Sequence, residues 1–250
     1  MIDERHRCLW ISPSAVEADT PLTSAQKFAA SLQPRCEMAV VGLRVWGLEP
    51  CDAYDINTET AAVRRAAFDR GWRRYHLFGF SAGATVALAA ALADRSAIRS
   101  IALFEPATIG DDDWSRVEAR WRVGLTDIRS LAADQRQPAF RRLVMASPGQ
   151  LPSTLGPPPA WDALTDKLED MLAGVGFRSD VFSRISQPTL VLSGANSNPR
   201  FFDVARRLVQ VIPRASAEVM SGCSHLDPPH RSAADQLAQR LLKLWDFAAA

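Results

Sequence analysis

Residues Gly79-Phe80-Ser81-Ala82-Gly83 constrain this chain more than any other stretch of it. They stand between a continuous apolar run, Tyr75-His76-Leu77-Phe78, and an alanine-rich segment that reads as a helix from Ala82 to Asp94. A strand that passes into a helix at a single serine holds that residue in strained dihedrals, with its hydroxyl exposed above the sheet. The glycines two before and two after suit this geometry, because strand and helix approach there without room for side chains. Ala82, Ala84, Ala87 and Ala89 keep the helix close. The plain alternative, a Gly-rich strand-helix loop, would leave this agreement of spacing and context unexplained.

The rest of the chain repeats the same rhythm. Apolar runs of strand length span Arg7 to Ile11, Glu37 to Gly42, Tyr75 to Phe80, Arg99 to Phe104, Pro188 to Ser193 and Ala217 to Met220. Helical periodicity fills Ser24 to Leu32, Thr58 to Arg70, Ala82 to Asp94, Phe201 to Val211 and Ala233 to Phe247. Continuous apolar strands alternating with helices predict a mostly parallel sheet covered on both faces, a three-layer α/β sandwich. From about Gly110 to Ile185 the strands stop. Trp114, Val117, Trp121 and Leu125, then Leu164, Leu168 and Leu172, recur at helical spacing, and the prolines between 148 and 159 break the run. This predicts a helical subdomain at 110–185, inserted into a core made of 1–109 and 186–250.

Composition excludes several classes. A net charge of +1 gives no footprint for nucleic acid. No apolar run reaches the roughly 18 residues of a membrane helix, and the charged start, Met1 to Arg7, leads into no signal-peptide core. A cytoplasmic protein, monomeric or homodimeric, is expected. Cys8, Cys36, Cys51 and Cys223 form no metal-binding spacing with the histidines, so neither metal nor cofactor is implied.

A serine hydroxyl needs a base to act as a nucleophile at neutral pH. His6 precedes the first strand and reads as solvent-exposed; His76 lies within a strand and reads as a buried, satisfied imidazole. His225 follows the last strand on Ser221-Gly222-Cys223-Ser224-His225-Leu226-Asp227-Pro228. That loop opens at the same carboxyl edge as Ser81, because parallel strands end on one side. His230, nearer the helix start, is the reserve.

The serine turn, the helical insertion and the terminal histidine loop together resemble the α/β-hydrolase superfamily. Val41-Gly42-Leu43-Arg44-Val45-Trp46-Gly47 is similar to its loop after the second core strand, and Pro188-Thr189-Leu190-Val191-Leu192-Ser193-Gly194 to its strand before the usual acid. The resemblance covers nearly the whole chain and implies a six-stranded sheet in the order 2-1-3-4-5-6 that lacks the usual N-terminal hairpin. Two further departures concern the site. Where relatives place His-Gly after the first core strand, this chain has Ile11-Ser12-Pro13-Ser14. Pro13 has no N–H, so the oxyanion donors implied are Ala82 with Ser12 or Ser14. Where the usual acid stands, the chain reads Gly194-Ala195-Asn196-Ser197-Asn198-Pro199, without a carboxylate. Glu105, at the end of Ile101 to Phe104, matches the other position from which some members draw their acid. Asp203, Asp227, or a dyad helped by Asn196, Ser197 or Asn198, are the alternatives.

The resemblance therefore implies a serine hydrolase of a carboxylic ester, thioester or lactone of a small apolar substrate, with Ser81, His225 and Glu105 as its triad. Phe80, Trp114, Trp121, Phe140, Met145 and Trp161 are the expected pocket residues, although core packing explains each of them equally simply. Met171 belongs to the same apolar set. Arg116, Arg120, Arg122, Arg141 and Arg142 could grip an anionic group, but a solvated helical face explains them more simply. Carbon–carbon bond hydrolysis uses the same parts. Ligand binding or cyclisation on a degenerate site is the contrasting expectation.

Overall fold

In the computed structural model, residues 5–13, 24–33, 35–107, 116–145, 161–175 and 178–249 are described. Six strands, β1 (His6–Ser12), β2 (Cys36–Gly42), β3 (Tyr75–Phe80), β4 (Ile98–Phe104), β5 (Thr189–Gly194) and β6 (Ala215–Met220), form one sheet. Every adjacent pair is parallel and the order is β2-β1-β3-β4-β5-β6. This is the order the sequence implies. The edges differ by a residue or two, the largest shift being β6, which starts at Ala215 rather than Ala217.

Side-chain alternation explains why the sheet must be covered twice. Leu9, Ile11, Leu77, Ile101, Leu103 and Val191 face one apolar cluster, while Cys8, Trp10, Phe78, Ala102, Phe104, Leu190 and Leu192 face another. Helices α1 (Ser24–Ser31), α2 (Ile56–Asp69) and α3 (Ala82–Ala93) follow the first three strands. The segment between β4 and β5 contains α4 (Arg116–Ser130), α5 (Ala133–Leu143), α6 (Ala163–Gly174) and a 3-10 stretch, Ser179–Arg184. Beyond β5 come α7 (Arg200–Val211), the short α8 (Pro229–Ser232) and α9 (Ala234–Ala249). Helices α2, α3 and α7 cover the first face; α1 and α9 cover the second, with Leu237, Leu241 and Trp245 of α9 fully buried.

Among the described residues the interval between β4 and β5 holds helices and no strand; Trp114 and the prolines from 148 to 159 lie outside the described residues. Leu168, Met171 and Leu172 of α6 join the main core cluster, so this helix is packed down rather than standing free. The histidines show two differences from expectation. His6 is half-buried, not exposed: its Nε2 meets Asp246 at 2.9 Å and its ring contacts Trp245 and His76. His76 is buried as expected but only half satisfied: Nδ1 lies 2.8 Å from the Ser100 hydroxyl, while Nε2 has no hydrogen-bond partner among the described residues. Among the described residues no helix is long and apolar enough to cross a membrane.

The serine turn sits at the tightest point of the sandwich. A Cβ added at Gly79 would lie 2.6 Å from the Cα of Ala84, and one at Gly83 only 2.1 Å from the carbonyl oxygen of Ile11. In both cases the obstacle is backbone, which cannot swing away. Gly83→Ala is accordingly expected to destabilise the fold by about 3 kcal/mol, lowering the melting temperature by roughly 6–12 °C. Thermal and denaturant unfolding measure this; a change below about 0.5 kcal/mol would show that α3 is free to shift away from β1.

Candidate active site

Ser81 is a non-glycine residue with φ of 54° and ψ of −122°, and the backbone around it is pinned on every side. Its N–H donates to the carbonyl of Phe104 on β4, and its own carbonyl accepts from Ala84, Thr85 and Ala107. Those bonds hold a conformation that would otherwise cost about 1–3 kcal/mol, and they hold the hydroxyl above the sheet edge.

Glu105 is the second residue at positive φ, 49°, one step beyond β4. Its N–H donates to Leu192 on β5, so the strand end itself sets its direction. The carboxylate is fully buried and both its oxygens are used. Oε1 accepts from the Gly194 amide at 2.7 Å, and Oε2 lies 2.8 Å from His225 Nδ1. With the Nδ1 hydrogen donated to Glu105, Nε2 is left as an acceptor, and the Ser81 Oγ stands 3.1 Å from it. The three side chains thus form one hydrogen-bonded sequence across three strand ends, the order in which a hydroxyl proton passes to an imidazole whose charge a carboxylate then stabilises.

The imidazole is packed as well as bonded. Phe201, on the first turn of α7, stacks on His225 with centroids 4.8 Å apart and planes 8° from parallel; Phe80 meets it at 5.2 Å. Phe201 is fixed by its neighbour. Arg200, 1% exposed, donates to both Glu118 oxygens on α4 and to the Pro106 carbonyl at 3.0 Å, and its guanidinium lies 4.5 Å from the Trp121 ring centroid. One buried cation therefore joins α4, the exit of β4 and the start of α7.

The other acidic candidates do not reach the imidazole. Asp203 pairs with Arg206 on α7. In the His225 loop, the Asp227 N–H and carbonyl close a turn with Ser224. The residues standing at the usual acid position serve a mechanical purpose. Asn198 donates through Nδ2 to Leu143 and through its amide to Val144, and Ser197 bridges to Met145, so this loop fastens the end of α5. His230 lies against Trp10 at 4.8 Å, and burial pushes its pKa down to about 3.

Above Ser81 lies a cavity of about 420 Å³. Phe80, Trp121, Phe140 and Trp161 line it, together with Ser81, Ala82, His225 and Leu226. Met145 does not. It sits behind the wall with Trp121, Val144 and Phe201, held there by its bridge to Ser197, and Met171 faces the main core. Trp114 and Ser14 lie outside the described residues. Ser12 ends β1 opposite Gly42, and Pro13 follows it into the cavity wall beside Ser81 and Ala82.

Several lining residues escape a reading of the sequence. Trp46, on a 3-10 turn at Arg44–Gly47, lines the cavity and donates through Nε1 to the Pro13 carbonyl at 2.8 Å. That turn is held by Glu59, whose buried carboxyl accepts from the Arg44 and Val45 amides and the Tyr54 hydroxyl. Burial raises the Glu59 pKa despite these bonds. Glu169 on α6 also faces the cavity, and a signal for it was present. Thr165, Leu168, Glu169 and Leu172 follow the i, i+3, i+4, i+7 spacing of one helix face, all four lining the cavity.

Comparison with known proteins agrees with this architecture. The family model described as "Alpha/beta hydrolase family" matches residues 15–240. No curated protein matches the chain significantly. Among solved structures, a bacterial membrane phospholipase A superposes with a TM-score of 0.70 at 19% identity, covering 98% of this chain and 80% of that one. MenH from S. aureus gives 0.70 at 15% identity, with 98% and 95% covered. The 2-hydroxy-6-oxo-6-phenylhexa-2,4-dienoate hydrolase from Rhodococcus sp. strain RHA1 gives 0.66 at 14%, with 98% and 92% covered. At these identities the likeness is one of fold.

Arg200 supplies the test of how the wall over Ser81 is held. Arg200→Met takes from the buried Glu118 carboxylate the cation that donates to both its oxygens, with Arg122 still 3.7 Å away, and a loss of about 3 kcal/mol in unfolding free energy is expected. Denaturant unfolding checks it; a loss under about 1 kcal/mol would mean that the pair behaves as a surface ion pair.

Proposed function

Because the chain belongs to the alpha/beta hydrolase family, we propose that it is a serine hydrolase of carboxylic esters, acting through an acyl-enzyme. The observation that carries this reading is the unbroken hydrogen-bonded sequence Ser81–His225–Glu105 at the floor of a largely apolar cavity. Ser81 Oγ attacks the ester carbonyl as His225 Nε2 takes its proton, and Glu105 stabilises the imidazolium. The amides of Ala82 and of Ser12 or Ser14 donate to the developing oxyanion. Collapse of the tetrahedral adduct returns the proton from His225 to the departing alcohol. Water then gives its proton to His225, attacks the acyl carbon, and the carboxylic acid leaves with Ser81 restored.

Glu105 takes the place of an acid after β5 for a physical reason. Its carboxylate is oriented from the opposite side by the Gly194 amide, which is donated by the strand that usually carries the acid. The helices between β4 and β5 act as a cap that shapes the cavity and excludes water, with α6 packed into the main core. A protein that only bound a ligand here would have no use for an imidazole held between a hydroxyl and a buried carboxylate, and this argues against the degenerate reading. The substrate is the one partner required.

Initial rates on p-nitrophenyl butyrate test the assignment of the acid. Glu105→Gln should lower kcat by roughly 10³–10⁴-fold, because the amide can hold His225 in the wrong tautomer and cannot stabilise its charge. Asp203→Asn and Asp227→Asn should stay within about threefold of the parent. A Glu105→Gln variant with near-parental rates would move the acid elsewhere.

A further inference from the structure

Helix α6 turns Thr165, Leu168, Glu169 and Leu172 to the cavity, and the carboxyl of Glu169 is the odd member of that stripe. Among the described residues it makes no hydrogen bond and no ion pair. The cations around it are committed elsewhere: Arg200 and Arg122 to Glu118, Arg129 to Asp170 and Asp166, Arg136 to Asp166. Nor does Asp162 on the same wall need a partner, since it caps α6 through the Thr165 amide and hydroxyl. Loss of water pushes the Glu169 pKa up to about 7, against the opposing pull of Arg129 and Arg200. Arg122, Thr126 and Arg129 stand on its other side, and on the side of the largely apolar cavity a buried carboxyl is stabilised when the occupant supplies a donor.

We infer that Glu169 is a specificity-determining residue and that the arm of the substrate seated in the cavity carries a protonated amine. This rests on the ester-hydrolase reading of Ser81 and narrows its substrate class. An ammonium fits better than a neutral donor for two reasons. An amine of ordinary basicity, with a pKa near 10.4, stays protonated beside Glu169 at neutral pH and forms a fully charged pair with it. The rings of Phe140 and Trp161, edge to face at 6.0 Å, line the same cavity and supply the aromatic surface that attracts a cation. The cavity thus sets a carboxylate against aromatic walls, which is the chemistry of cation recognition.

The test compares p-nitrophenyl 6-aminohexanoate with p-nitrophenyl heptanoate, which puts a methyl group where the ammonium stands. At pH 8 the kcat/KM of the ammonium ester should exceed that of the heptanoate by at least about tenfold. Glu169→Gln should reduce that preference to under about twofold, and Glu169→Asp should keep part of it. A melting temperature for Glu169→Gln at or above the parental value shows that the variant is folded. No preference in the parent protein, or the same preference in Glu169→Gln, overturns the inference. A second arm needs no turnover: hexylammonium should raise the melting temperature of Ser81→Ala, 1-hexanol should raise it less, and adding Glu169→Gln should abolish the difference. If neither ester is hydrolysed while hexylammonium still discriminates, the ester reading fails and the cation site stands. If both esters are hydrolysed alike and hexylammonium does not discriminate, the cation site fails and the ester reading stands.

Discussion

Ser81 and Glu105 leave adjacent strands at positive φ, a backbone state that costs about 1–3 kcal/mol for each side chain forced into it. What holds the pair there is the sheet itself. The Ser81 amide donates to Phe104 on β4, and the Glu105 amide donates in turn to Leu192 on β5. Each strained residue is therefore secured by the next strand along, and the parallel order of β3, β4 and β5 fixes their separation. Relaxing either turn would swing its side chain out of line with His225. The close approaches at Gly79 and Gly83 follow from the same demand, since α3 must begin hard against β1 and β3 for the turn to exist at all.

The wall above the sheet depends on a smaller set of contacts. Arg200 reaches Glu118, Pro106 and the face of Trp121, while Asn198 and Ser197 bind the end of α5. All of these lie on or just before α7, the helix that also places Phe201 against His225. The segment from β5 to α7 thus holds the imidazole and fastens the helices that roof the cavity. In the family pattern that segment supplies the acid. In the proposed triad a carboxylate at the end of β4 takes that part, and the loop after β5 acts as a clasp.

Much of this arrangement was legible in the sequence, for reasons that differ by residue. The sheet order and the turn at Ser81 rest on local signals, apolar runs and glycine spacing, and local signals survive without knowledge of the fold. His225 was legible through topology, because parallel strands bring their ends to one edge; Glu105 was legible only through the resemblance, as the other position from which some members draw their acid, with Asp203 and Asp227 still open beside it. The Trp46 indole that holds the Pro13 carbonyl was not legible, because nothing local pairs residues 33 positions apart. Met145 reads as an apolar lining residue by type, yet its bridge to Ser197 turns it away from the cavity. Glu169 was missed although the i, i+3, i+4, i+7 stripe of Thr165, Leu168, Glu169 and Leu172 was there to be read, because a charge on an apolar stripe signals a buried site only once that face is seen to line the cavity.

The proposed hydrolase chemistry turns on Ser81 as an activated nucleophile. Intact-mass analysis after exposure to a fluorophosphonate tests it directly, because the reagent reports activation of a serine hydroxyl without requiring the natural substrate. One adduct per chain, absent from Ser81→Ala, is expected. No adduct under conditions that label a known serine hydrolase would contradict it.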